Sequence, residues 1–86
     1  MHEKEIKGAL KGNRLIVGSR EVLKNLRRGK VEAVFITSNC PKHLESRARY
    51  YSRLSEVKIV EFGGNSMQLG EVCGRPYKTL MAGIAR

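Results

Sequence analysis

The chain has 86 residues, 41% of them hydrophobic and 29% charged, with 17 Lys and Arg against 8 Asp and Glu for a formal charge of +9. That length holds one compact core and no separate catalytic domain, and the composition is too apolar for a disordered chain and too polar for a membrane-embedded one. So large a positive charge on so small a body makes a polyanion the leading partner class, nucleic acid first, whereas stable membrane anchoring needs a lipid or an apolar face that the sequence does not offer.

The charged start Met1-His2-Glu3-Lys4-Glu5 leads into no apolar stretch, so no signal peptide is expected and the cytoplasm is the expected compartment. Ile6, Ala9 and Leu10 give a short helical stripe that Gly12-Asn13 stops. Leu15-Ile16-Val17 is a short apolar, partly β-branched run suited to a buried strand, and it ends at Gly18. Ser19 is positioned to cap a helix running to about Arg28, with Val22, Leu23 and Leu26 inward and Gly29 just past the end. Arg20, Lys24, Arg27 and Arg28 fall at i, i+4, i+7 and i+8, one cationic stripe starting at the helix N-terminus. Residues 11–30 hold seven basic side chains and one acid, Glu21, so backbone donors and cations are expected to converge on one edge.

Ala33-Val34-Phe35-Ile36-Thr37 is continuously apolar, as a central strand covered on both faces would be. Pro41 suits the first helical position, and Leu44, Ala48, Tyr51 and Leu54 follow at helical spacing. Lys58-Ile59-Val60-Glu61-Phe62 reads as a third strand. After Gly63-Gly64, Asn65 caps a helix with Gln68 three residues on, lined by Leu69, Val72 and Cys73. Gly74-Arg75-Pro76 ends it, Tyr77-Lys78 extends the loop, and residues 79–84 form the last strand. This αβαβαβαβ order predicts an α/β fold: a three-layer α-β-α sandwich, one domain over residues 1–86, around a four-stranded mixed sheet.

Gly18-Ser19-Arg20-Glu21-Val22-Leu23-Lys24 resembles the Gly-x-Asn-Glu-x-x-Lys motif of the L-seven-Ae superfamily of kink-turn RNA-binding proteins, with Arg20 in the Asn place. That basic residue is similar to the ribosomal L-thirty-e branch. So are Tyr50-Tyr51-Ser52-Arg53-Leu54-Ser55, Glu61-Phe62-Gly63-Gly64-Asn65, Leu69-Gly70 and Gly74-Arg75-Pro76, although Gln68 stands where a Glu is common and the first helix is short. The resemblance covers residues 13–84 and implies a non-enzymatic protein of the large ribosomal subunit in an archaeal or eukaryotic-type system. Its implied ligand is a kinked RNA helix, held by the junction after the first strand and the loop before the last one. Carried over, the contacts are Gly18, Ser19, Arg20, Glu21 and Lys24, then Cys73, Gly74, Arg75, Pro76 and Tyr77.

The chemistry of these residues agrees with such a ligand. A helix N-terminus presents unsatisfied N–H groups and about half a positive charge, which makes the Gly18-Ser19 junction an anion site. Arg20 can lie along a guanine edge or stack on a base; Lys24, Arg27 and Arg28 can neutralise phosphates. Glu21 either accepts hydrogen bonds from base N–H groups, or pairs with Lys24 or favours the first helical turn electrostatically, and Tyr77 either stacks on an exposed base or anchors its loop to the core. Other ribosomal proteins are the expected neighbours of a free monomer, and membership of an RNA-guided RNA-modification particle is the alternative. No cofactor, metal or small-molecule substrate is expected: Cys40 and Cys73 lie 33 residues apart without a ligand cluster, and no phosphate-loop or dinucleotide motif occurs.

Overall fold

The computed structural model describes residues 3–86, where helices and strands alternate: α1 (Glu3–Lys11), β1 (Leu15–Val17), α2 (Ser19–Arg27), β2 (Val31–Ile36), α3 (Lys42–Ser55), β3 (Lys58–Glu61), α4 (Ser66–Val72) and β4 (Met81–Ala85). Each helix forms where apolar or small residues recur at three- or four-residue spacing. Ile6 and Ala9 are buried in α1, Val22 and Leu26 in α2, and Ser66, Leu69 and Gly70 in α4.

The strands lie in the order β1-β4-β2-β3. β4 runs antiparallel to both neighbours, and β2 runs parallel to β3. Strands β1, β2 and β3 therefore point the same way, and their C-terminal ends gather beside the start of β4. Side chains alternate across the pleat: Val34, Ile36 and Met81 join Val22 and Leu26 of α2 and Ala48 of α3 on one face, while Phe35 and Ala82 join Ile6 of α1, Phe62, Leu69 of α4 and Cys73 at its end on the other. The result is the three-layer α-β-α sandwich with a mixed four-stranded sheet that the sequence predicts. Phe35 and Phe62 are fully buried, and burial of each contributes about 1.5–3 kcal/mol.

Several boundaries differ from expectation. β2 begins at Val31, two residues early, because a bulge between Val31 and Ala33 returns Val31 to the face of Val34 and Ile36. Pro41 is the N-cap of α3, with φ −57° and ψ 141°, so the helix starts at Lys42 rather than at the proline. Leu54, expected inward, is 66% exposed: it follows Ser52, which is buried, by about 200° around the helix. The last strand starts at Met81 because Thr79 is engaged elsewhere, its N–H donating to the Ser66 carbonyl at 3.0 Å.

Gly70 sets the position of the loop between α4 and β4. A Cβ there would run into the backbone carbonyl oxygen of Tyr77, so only hydrogen lets the helix and the loop lie this close. Gly70→Ala is expected to cost about 1–3 kcal/mol of stability through overpacking. Gly8→Ala, where a methyl meets nothing within 4 Å on α1, should gain about 0.5–1 kcal/mol. Thermal melts of the two variants check the opposite signs.

Candidate nucleic-acid interface

The elbow between β1 and α2 is built on Gly18. Its φ of 98° and ψ of 143° belong to backbone space that residues with a Cβ rarely occupy, and they turn the chain from the sheet edge directly into the helix. Gly18 is the N-cap of α2, and its carbonyl accepts the first helical bond from the Val22 N–H at 3.0 Å. Ser19, expected to be the cap, is instead the first helical residue, and no side chain caps the helix. The first-turn N–H groups therefore have neither an intrahelical acceptor nor a side-chain cap, while Arg20 and Glu21 stand exposed on the same turn.

The second element is the loop between α4 and β4. A capping box of Asn65 and Gln68 starts α4, with both hydrogen bonds at 2.9 Å. The side-chain amide of Asn39, in the turn after β2, also bonds the backbone N–H and the hydroxyl of Ser66. After α4, Gly74 takes φ 72° and the Arg75 N–H returns to the Gly70 carbonyl at 2.9 Å, which closes the helix and releases the chain outward. Arg75, Pro76, Tyr77 and Lys78 are all exposed, Tyr77 at 59%. The tyrosine is thus exposed rather than an anchor in the core.

The base of this loop, where it enters β4, meets the elbow at one end of the sheet. Val17 pairs with Ala82, and the Gly18 N–H donates to the Met81 carbonyl at 2.9 Å, one residue beyond the loop. The Thr37 N–H, at the end of β2, donates to the Leu80 carbonyl at 3.2 Å and fixes the other side of the loop base.

Not every expected residue joins them. Cys73 is fully buried against Ile6, Phe62 and Leu69, so its side chain belongs to the core and its part in the loop is positional. Burial pushes its thiol up in pKa, with the nearby Arg75 cation pulling the other way. The seven cations of residues 11–30 do not converge as their sequence density suggests. Arg14, at the start of β1, donates to the Ala85 carbonyl and pairs with Glu32 at the opposite end of the sheet, and Lys11 and Lys30 flank strand starts there too. Arg27 and Arg28 lie at the far end of α2, about 10 Å along the axis from Arg20, and continue the basic surface from Lys24. No ion pair joins Glu21 to Lys24 among the described residues. The Glu21 carboxylate is exposed on the first turn of α2.

The sequence reading missed Asn39, whose role depends on contacts across 27 residues. It also passed over Arg47 and Tyr51 of α3, which the packing of α3 on α2 sets opposite the cationic stripe. Their spacing of four along one helix was the signal for a shared face.

The family model described as the ribosomal protein L7Ae/L30e/S12e/Gadd45 family matches residues 2–86. The large ribosomal subunit protein eL30 of Methanopyrus kandleri is 36% identical over 75 residues, covering 87% of this chain and 69% of the relative. The protein of the same name from Archaeoglobus fulgidus is 37% identical over 79 residues, covering 92% of this chain and 87% of the relative. Among solved structures, the 15.5kD RNA binding protein of Giardia lamblia superposes with a TM-score of 0.78 at 25% identity, covering 94% of this chain and 68% of that one.

Two outcomes test this geometry. Gly18→Ala meets no neighbour within 4 Å, so its whole effect is backbone strain, expected to be about 1–3 kcal/mol in a denaturant titration. Under native conditions at pH 8, alkylation followed by mass spectrometry should label the partly exposed Cys40 before the buried Cys73, which reacts only as the chain opens.

Proposed function

Because the chain belongs to the ribosomal protein L7Ae/L30e/S12e/Gadd45 family, on its L30e branch, we propose that it is an RNA-binding protein of the large ribosomal subunit that recognises a kinked internal loop. The role is structural rather than catalytic, in keeping with relatives named as ribosomal subunit proteins, and its working location is the cytoplasmic ribosome. The observation that carries the reading is the hydrogen bond from Gly18 to Met81, which joins an uncapped, arginine-bearing helix start to a loop presenting an exposed tyrosine and flanking cations.

A kinked RNA offers what these two elements can take up. Its sharply bent backbone draws phosphates close together, which suits backbone N–H donors and the field of a helix N-terminus. Its opened bases expose edges and faces. Arg20 can donate two parallel hydrogen bonds to a guanine edge, and the Glu21 carboxylate accepts from base N–H groups, a contact worth making only where such donors face it. Tyr77 supplies a ring for an unstacked base, while Lys24 and Arg28 contribute sequence-blind neutralisation. A regular A-form duplex presents a deep, narrow major groove that side chains cannot read, so it would engage the cations alone.

Binding should therefore be tight and salt-sensitive for an internal loop with tandem sheared G·A pairs, and clearly weaker for an uninterrupted duplex of equal length. Glu21→Ala should reduce the ratio of the two affinities by about tenfold. Arg28→Ala should weaken both RNAs alike and make the slope of log K against log salt shallower by about 0.7–0.9. Equal affinity of the unmodified chain for the two RNAs, measured by titration calorimetry, would remove the proposal.

A further inference from the structure

A groove of about 430 Å³ runs between α2 and α3, distinct from the loop contact at Tyr77. Four cations line it: Arg20, Lys24 and Arg27 along α2, and Arg47 along α3. Its apolar part includes Leu44 and Tyr51, and no carboxylate lines it among the described residues. The two helices run side by side in the same direction, since both leave the same end of the sheet and the Ser55 hydroxyl, at the end of α3, donates to the Leu26 carbonyl near the end of α2 at 3.4 Å. The groove thus opens at the elbow, beside Arg20, and leads away from it toward Arg27 and Tyr51.

Its dimensions select the occupant. Packed helices have axes about 8–10 Å apart, so the furrow between them is too narrow to admit a duplex, while one strand can lie along its cationic rim. From Arg20 to Arg27 the helix rises about 10 Å, the reach of about three successive phosphates of one strand. At the far end the Arg27 guanidinium lies 5.9 Å from the centre of the Tyr51 ring. That pairing holds the guanidinium over an aromatic surface, where its other side is a platform on which a base can stack. A cationic rim with an aromatic platform in its depth is the combination by which proteins hold unpaired strands.

We infer that this groove binds an unpaired RNA segment continuing from the kinked element, its phosphates on Lys24 and Arg47 and one base on the Arg27–Tyr51 pair. The inference rests on the RNA-binding reading above and extends it to a second segment of the ligand. It also gives Arg47, on a helix outside the elbow and the loop, a place in recognition.

The test compares three RNAs that share one kinked internal loop: one with blunt stems, one with an unpaired tail of five nucleotides on one stem, and one with that tail base-paired into a longer duplex. For the unmodified chain the unpaired tail should raise affinity by about tenfold, with a steeper salt dependence, and the paired extension should not. The increment should collapse toward one in Arg47→Ala and shrink in Tyr51→Leu. Arg47 is exposed, so its variant decides the matter even if loss of the half-buried Tyr51 ring disturbs packing. An unmodified chain that binds the blunt RNA tightly with no gain from the tail would overturn this inference alone. An equal gain from the paired extension, or an undiminished gain in Arg47→Ala, would also overturn it, whereas failure to bind any of the three would overturn the RNA-binding reading as well.

Discussion

Everything at the candidate interface depends on the antiparallel pairing of β1 with β4. It is three residues deep, Leu15 to Ile84, Ile16 to Gly83 and Val17 to Ala82, and it closes with the Gly18 N–H on the Met81 carbonyl. A start of helix and a loop more than fifty residues apart in sequence become neighbours through it. Because β4 alone runs against the other strands, the segment before it arrives at the end where β1, β2 and β3 finish. Had β4 paired in the parallel sense, the tyrosine loop would stand at the far end of the sheet from Gly18.

The junction combines rigidity and openness in a way that suits a ligand. Gly18 accepts a backbone geometry that another residue would strain, and in doing so it removes the side-chain cap that Ser, Asn or Asp would supply. The helix therefore starts with its donors unspent. The loop is treated in the opposite manner: Gly70, Gly74, Thr79 and Leu80 tie its base down, and its tip from Arg75 to Lys78 stands in solvent. Beside them, the groove between α2 and α3 extends the basic surface along a line that starts at the same elbow.

Much of this was legible in the sequence because it rests on local signals. Short apolar runs, glycine punctuation and helical spacing identified all eight elements, and the alternation of helix with strand implied the three layers. The Asn65–Gln68 box was readable for the same reason, since both partners lie within one turn. What could not be read depends on distant partners. Charge density along residues 11–30 suggested one basic edge, yet Arg14 is held at the opposite end by Ala85 and Glu32. Leu54 has the right residue type at the wrong angle. Arg47 and Tyr51 gained their place only once α3 lay against α2.

The central claim is that the elbow and the tyrosine loop contact one RNA together. Amide signals of the isotope-labelled chain, followed by NMR during titration with a kinked internal-loop RNA, test it most directly. The account predicts that residues 19–24 and residues 74–78 shift together and saturate at the same RNA concentration, while Arg14 and its neighbours at the other end of the sheet stay still. Movement of one set without the other, or shifts centred on Arg14, would contradict it.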